Sequence, residues 1–314
     1  MFKALITGGA GFIGSHIAER LVKEGHQVRI LDNLTTGKTE NFAAIAKHVE
    51  FVQADVRDAP QLDFHAAGCE VIFHEAAIVS VPYSVEHPQE THDVNLQGTI
   101  NVLEAARRRG VKRVVFASSA AIYGEEPTLP KSERMAPSPL SPYGVEKIAS
   151  EYYLQIFAKL YGVETVALRY FNVFGPRQDP SSAYSGVISI FVDRALKGER
   201  PKIFGDGDQC RDFVYVADVA EANYRAATAS GVSGNAYNVG CGKRTTLNDL
   251  WSLVRGIAGG DAQPIYADPR AGDIRESLAD ISKARAELGY APSVAVEEGL
   301  RRLIAHLRNV LGPT

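Results

Sequence analysis

The feature that most constrains this chain is a glycine-rich turn set between a short apolar run and a helical pattern. Phe2 to Thr7 form the run, and Gly8-Gly9-Ala10-Gly11-Phe12-Ile13-Gly14 form the turn. From Ser15 to Glu24 helix-forming residues recur at amphipathic spacing. The turn satisfies both the GxGxxG and the GxxGxxG spacing. Glycines in that context let backbone N–H groups approach a pyrophosphate, which the positive end of the following helix also attracts. Gly8, Gly11, Phe12, Ile13 and Gly14 are therefore candidate contacts to a dinucleotide.

A turn of this kind needs a parallel sheet around it, and the first half of the chain carries the pattern. Apolar runs at Val28–Asp32, Val49–Gln53, Val71–His74, Val114–Ser118 and Thr165–Tyr170 alternate with helical stretches such as Thr99–Arg109. Runs apolar at nearly every position, rather than at alternate ones, mark strands buried on both faces. The expected class is α/β, a doubly wound parallel sheet. After Phe171 the chain becomes irregular, with Gly175-Pro176, Asp179-Pro180-Ser181-Ser182 and Gly205-Asp206-Gly207-Asp208 marking turns. The expected division is a cofactor domain over 1–171, returning at 212–240, and a smaller α/β lobe over 172–211 and 241–314.

Composition narrows the partners. The 314 residues carry 34 basic and 37 acidic side chains, a formal net charge of -3, which argues against a general affinity for nucleic acid or anionic membranes. No apolar stretch suggests a leader or a membrane span, so a cytoplasmic location is expected. Cys69, Cys210 and Cys241 form no CxxC pair, and the eight histidines, among them His74, His87 and His92, form no ligand-spaced cluster, so no metal is expected.

Within the cofactor half, Asp32 closes the second run, eighteen residues beyond Gly14. A carboxylate there can accept hydrogen bonds from the adenosine ribose and would repel a 2′-phosphate, which favours NAD over NADP. Asp55-Val56, just past the third run, could reach the adenine amino group.

Chemistry points to Ser141-Pro142-Tyr143-Gly144-Val145-Glu146-Lys147. Ser141 suits a helix N-cap and Pro142 the first turn, and Tyr143 and Lys147 then share one helix face. A free tyrosine titrates near pH 10, so it serves as a base at neutral pH only beside positive charge. Lys147 and an oxidised nicotinamide ring would supply it. The Val114–Ser119 run ends in hydroxyls at the carboxyl edge where parallel-sheet enzymes place ligands, and Ser119 could hydrogen-bond the same substrate hydroxyl.

With TGGAGFIGS, SSAxxYG and YxxxK in order and spacing, the chain resembles, over nearly its whole length, the extended short-chain dehydrogenase/reductase family and its nucleotide-sugar epimerases. The resemblance implies a Rossmann-type fold, NAD as cofactor, and Ser119, Tyr143 and Lys147 as catalytic residues. It implies that Asp32, Asn33, Asp55, Val56, Ala76, Ala77, Asn95 and Tyr170 line the cofactor together with Tyr143 and Lys147. A homodimer packed through the helices around Thr99–Arg109 and Tyr143–Leu160 is implied as well.

The reaction is narrowed by two small side chains. Dehydratases of this family carry an acidic pair directly after the hydroxyl position, and here those positions are Ala120 and Ala121. Neither can move a proton, so dehydration is disfavoured and epimerisation at C4 of a UDP-hexose is expected: Tyr143 takes the C4 hydroxyl proton, hydride passes to NAD, the 4-keto sugar turns over, and hydride returns to the other face.

By the same resemblance Arg211 and Arg270 would bind the diphosphate with Asn172 helping, Ile203 and Phe204 the uracil, and Gln178, Ser119 and Asp273 the remainder of the substrate. Ser277 sits where glucose-restricted relatives carry a bulky tyrosine, which suggests room for an N-acetyl group. UDP-GlcNAc and UDP-GalNAc are thus the expected pair, with UDP-glucose and UDP-galactose as further substrates. A UDP-glucuronate 4-epimerase, a nucleotide-sugar reductase and a non-enzymatic NAD-binding regulator stand as alternatives.

Overall fold

The computed structural model describes residues 1–179, 186–269 and 275–311. In chain order these form β1 (Lys3–Thr7), α1 (Phe12–Lys23), β2 (Gln27–Asp32), β3 (Val49–Gln53), α2 (Ala59–Ala66), β4 (Val71–His74), α3 (Val81–Glu86), α4 (Pro88–His92), α5 (Gly98–Arg109) and β5 (Arg113–Ser119). Next come α6 (Pro142–Tyr161), β6 (Glu164–Tyr170), β7 (Asn172–Phe174), α7 (Val187–Leu196), β8 (Lys202–Phe204), β9 (Cys210–Arg211), β10 (Phe213–Tyr215) and α8 (Val216–Thr228). The chain ends with β11 (Asn235–Val239), β12 (Thr245–Thr246), α9 (Leu247–Ala258), β13 (Ile265–Ala267) and α10 (Val296–Leu311).

Seven strands form one sheet in the order β11-β6-β5-β4-β1-β2-β3, every pairing parallel. This is the doubly wound, Rossmann-type arrangement that the continuous apolar runs predict, for strands such as β4 are buried at every position. Two apolar clusters cover the sheet, one including Ile6, Phe73, Val115 and Leu168, the other Leu5, Ile72, Val114 and Phe157. Alternate residues of each strand go to opposite clusters, as the strand period of two requires.

The chain leaves β1 for β2 and β3 on one side and crosses to β4 on the other. The carboxyl ends of β1 and β4 therefore flank the topological switch point, the place where open α/β sheets bind ligands. Residues 216–239 return to the sheet, with α8 packed on α1 and β11 added beside β6, while β10 pairs with β7 apart from it. A third apolar cluster gathers Phe174, Phe191, Trp251, Leu300 and Leu303 from β7, α7, α9 and α10. Phe12 and Ile13, at the start of α1, pack against it and so join the glycine turn to this second core. Among the described residues no helix is long and apolar enough to cross a membrane.

Candidate active site

The glycine turn is shaped by contacts that leave no space for side chains. Gly8 has φ +69°, and a Cβ there would lie 2.6 Å from the backbone nitrogen of Ala76, the residue that leaves β4. A Cβ on Gly14 would come 2.3 Å from the carbonyl oxygen of Gly8, so α1 can start this close to the turn only with glycine at that position. Gly11 differs, since a Cβ there would meet only the Gly8 oxygen, at 3.1 Å. It caps α1 without a side chain, and no acidic residue lies in the first turn. The first turn of α1 thus carries no side chain that compensates its partial positive charge, an arrangement that fits a pyrophosphate.

Asp32 stands beside this cradle. Its Oδ2 accepts the Ala10 N–H at 3.0 Å and its Oδ1 the Leu34 N–H at 2.8 Å, and burial raises its pKa. At the ends of β2 and β3, Asn33 donates to Asp55 Oδ2 at 2.8 Å, while the Arg57 guanidinium makes paired bonds to Asp55 at 2.9 and 2.8 Å and holds that carboxyl well below its usual range. Val56 is buried against Gly98. Ala76 and Ala77 follow β4 at the switch point. Asn95 is brought near, but its side-chain amide is engaged within the protein: it accepts Ile78 N–H at 2.8 Å and donates to Ile78 O at 2.9 Å and to Glu146 at 3.1 Å.

On the opposite side of the switch point, Ser141 caps α6 by accepting the Gly144 N–H at 3.2 Å, as its place before Pro142 predicts. Tyr143 and Lys147 then fall one turn apart on the buried face of α6. Ser119, at the end of β5, acts on the Tyr143 phenol and favours its ionised form. Ser119 Oγ also accepts the Ala121 N–H at 3.1 Å, which fixes it at the start of the Ala120–Ile122 turn. Lys147 Nζ donates to Ala117 O at 2.7 Å and lies 5.7 Å from the Tyr143 ring centroid. Burial pushes Tyr143 up and Lys147 down, the latter to about 8. No carboxylate occupies positions 120 and 121 beside the hydroxyls.

Two groups at this site escape a reading of the sequence. Glu75, next after β4, accepts the Tyr170 hydroxyl at 2.9 Å, and burial raises its carboxyl to about 7. Behind β5, Glu151 and Arg169 form a buried ion pair to which Ser118 also hydrogen-bonds. The lone cue to Glu75 is an acidic residue placed directly after an apolar strand.

The second core supplies the far wall. Asn172 is exposed at the head of β7. Gln178 donates weakly to Val173 O at 3.4 Å, while its Oε1 is buried with no partner among the described residues. Ile203 is inside the second core, whereas Phe204, the next residue of β8, is half-buried at its rim. Arg211 is half-buried on β9, its Nη1 donating to Cys210 O at 2.9 Å. Ser277 lies beside it, its N–H donating to Cys210 O at 3.1 Å. Arg270 and Asp273 lie outside the described residues.

The family model of the NAD dependent epimerase/dehydratase family matches residues 4–240. A UDP-glucose 4-epimerase of Mycolicibacterium smegmatis is 42% identical over 311 residues, covering 98% of this chain and 99% of that protein. Among solved structures, the UDP-glucose 4-epimerase of Thermotoga maritima with UDP-glucose is 41% identical, with a TM-score of 0.94 and coverage of 99% of this chain and 100% of that one. The UDP-N-acetylglucosamine 4-epimerase of Methanobrevibacter ruminantium M1, in complex with UDP-N-acetylmuramic acid, is 39% identical, with a TM-score of 0.94 and coverage of 98% and 99%. The glycine cradle, the Ser119–Tyr143–Lys147 group and these similarities along the full length agree: the chain belongs to the NAD dependent epimerase/dehydratase family.

Proposed function

We propose that this protein is a UDP-hexose 4-epimerase that interconverts UDP-GlcNAc and UDP-GalNAc, and also accepts UDP-glucose and UDP-galactose. The observation that carries the reading is the buried Tyr143 with Lys147 one turn away, Nζ 5.7 Å from its ring, beside Ser119 and with alanines at 120 and 121. A base with no acidic side chain at the two positions after Ser119 suits a reaction in which one hydroxyl loses and regains its proton. The two relatives in complex with UDP-sugars support the substrate class.

NAD, when bound, supplies the acceptor that takes hydride from the sugar C4 and gives it back. Gly8, Gly11 and Gly14 would hold its pyrophosphate and Asp32 its adenosine ribose. Tyr143 takes the proton of the C4 hydroxyl, Ser119 hydrogen-bonds the same oxygen, and the Lys147 charge favours the phenolate. After the ketone turns over, Tyr143 returns the proton.

Residues 172–211 and 241–314 form the nucleotide-sugar lobe in this reading. Arg211 would meet the diphosphate and Phe204 the uracil, with Asn172 and Gln178 nearby. The small side chain of Ser277 supports the N-acetylated pair. Homodimerisation belongs to the same reading: Val145, Tyr152, Tyr153, Ile156 and Leu160 leave an apolar face of α6 exposed.

The test is to supply purified protein with UDP-glucose, UDP-galactose and their N-acetyl forms without added cofactor. Interconversion of both N-acetyl forms supports the proposal. Turnover confined to the non-acetylated pair would remove the sugar assignment, and stoichiometric reduction of added NAD would overturn epimerisation. Tyr143→Phe should lower turnover by roughly 10²- to 10⁴-fold while retaining bound NAD.

A further inference from the structure

A hydrogen-bonded chain runs from α8 to the switch point behind Tyr143 and Lys147. Asn223 Nδ2 donates to the Tyr170 hydroxyl oxygen at 2.7 Å, and Tyr170 in turn donates to Glu75 Oε1 at 2.9 Å. Asn223 also donates to Val219 O at 2.9 Å and is fully buried on α8, so its orientation is fixed. An amide N–H aimed at the phenol oxygen leaves the Tyr170 proton free to point at Glu75, which makes Glu75 the acceptor at the end of the chain. Its backbone is held as well, with Glu75 N–H donating to Thr7 O at 3.1 Å, next to Gly8.

The charged and titratable groups facing this carboxyl come from two elements. His74 pairs with Phe116 across β4 and β5, so Glu75 lies beside Ala117, whose carbonyl accepts Lys147 Nζ of α6 at 2.7 Å with Tyr143 one turn before it. Tyr170 reaches Glu75 from β6; Asn223 of α8 and the backbone of Thr7 on β1 are neutral. The Glu75 charge favours the protonated form of Lys147 and opposes ionisation of Tyr143.

We propose that Glu75, held by Tyr170 and Asn223, is a positioning residue that sets the charge balance of the Tyr143–Lys147 pair. The carboxylate keeps Lys147 charged and, by repelling the phenolate, keeps Tyr143 readily reprotonated. That suits a base that must return the proton it takes. This role deepens the reading of Tyr143 as the epimerase base and rests on it.

The experiment uses the NAD-loaded protein labelled with ¹³C in its tyrosine rings, with the Tyr143 resonance identified from Tyr143→Phe. Glu75→Gln keeps the shape and the acceptor for Tyr170 but removes the charge. The Tyr143 midpoint should fall by at least about one pH unit, the size expected for a unit charge about 12 Å away at an effective dielectric near 20 and exceeded at shorter range. In turnover, the alkaline limb of kcat should move to lower pH as Lys147 loses its counter-charge. Tyr170→Phe, which removes the bond that favours ionised Glu75, should shift the Tyr143 midpoint in the same direction by less, and it keeps the test available if Glu75→Gln does not fold. A Tyr143 midpoint unmoved in the folded variants would overturn the proposal. Absence of UDP-sugar turnover would instead remove the epimerase reading, and the tyrosine titration would still be read.

Discussion

Arg169 of β6 and Glu151 of α6 form a buried ion pair, Nη2 to Oε2 2.7 Å, directly behind the strand that carries Ser118 and Ser119. The guanidinium also reaches Glu151 Oε1 through Nε at 2.9 Å and donates to the Tyr123 hydroxyl at 2.9 Å, which donates to Asn238 at 2.6 Å. Glu151 follows Lys147 by one helical turn, so the pair joins α6, β5, β6 and β11 at the level of the chemistry. Truncating one member of such a pair leaves the other charge buried without a partner, at a cost of about 3–5 kcal/mol. Glu151→Ala should lower unfolding stability by that amount in urea titrations of the NAD-loaded protein. Glu151→Gln, which retains acceptors for Arg169 and Ser118, should cost less. Equal stability of both variants and the parent would show that the pair adds nothing to the fold.

His74 predicts a particular sensitivity to acid. It is 1% exposed, with Nδ1 2.7 Å from Thr7 Oγ1 and Nε2 3.0 Å from Thr99 Oγ1. Thr99 Oγ1 donates to Asn95 O, so it accepts from His74 Nε2–H, and Nδ1 accepts from Thr7: the ring is neutral. Burial lowers its pKa from 6.5 to about 3, with Lys147 adding to the effect. Between those values the unfolded chain binds the proton and the folded one does not, so stability is fully present above pH 6.5 and is lost as pH falls toward 3. The loss should approach roughly 4 kcal/mol from this one group. Denaturant titrations across that range should show a steeper fall for the parent than for His74→Gln, and equal slopes would contradict the assignment.

Gly14 and Gly11 should separate folding from cofactor binding. A methyl on Gly14 would strike the Gly8 carbonyl at 2.3 Å and force α1 away from the turn. Gly14→Ala should therefore cost about 1–3 kcal/mol in stability even without cofactor, as overpacking does. Gly11→Ala has only the 3.1 Å contact to relieve and opens onto the cradle. It should melt close to the parent when stripped of NAD but bind NAD at least several-fold more weakly by calorimetry. If Gly11→Ala binds NAD normally, the pyrophosphate lies elsewhere.

How far such a site can be read beforehand depends on how local its causes are. The runs at β1 to β6 stand out because parallel strands covered on both faces must be apolar throughout, and the glycine turn stands out because its steric demand is met within seven residues. By contrast β7 to β10, β12 and β13 are strands of two or three residues with no period to detect. Ile203 and Phe204 show the consequence: adjacent strand residues point to opposite faces, and only the packing reveals that Ile203 is buried while Phe204 is half-buried. Glu75 and Glu151 are silent in the sequence for another reason. What makes each notable is a partner on β6: Tyr170 meets Glu75 only when the sheet assembles, and Arg169 meets Glu151 only when α6 packs on that sheet.

Ser277 offers the sharpest test of substrate range. The backbone of residues 275–277 is stitched to β9, since Cys210 N–H donates to Arg275 O at 3.0 Å and Ser277 N–H to Cys210 O at 3.1 Å. Position 277 is thereby fixed beside Arg211, the residue proposed to meet the diphosphate, and its side chain is half-buried. Ser277→Tyr would add an aromatic ring where the sugar is expected to turn over, and a rigid backbone cannot withdraw to make room. A misfit of an N-acetyl group against such a wall is worth a few kcal/mol, roughly 10- to 200-fold in kcat/KM. The variant should lose that factor with UDP-GlcNAc while turnover of UDP-glucose changes by less, the loss appearing with each substrate measured alone. Equal losses on both sugars would mean that residue 277 supports the diphosphate side of the pocket, and an unchanged ratio with unchanged rates would place it away from the sugar.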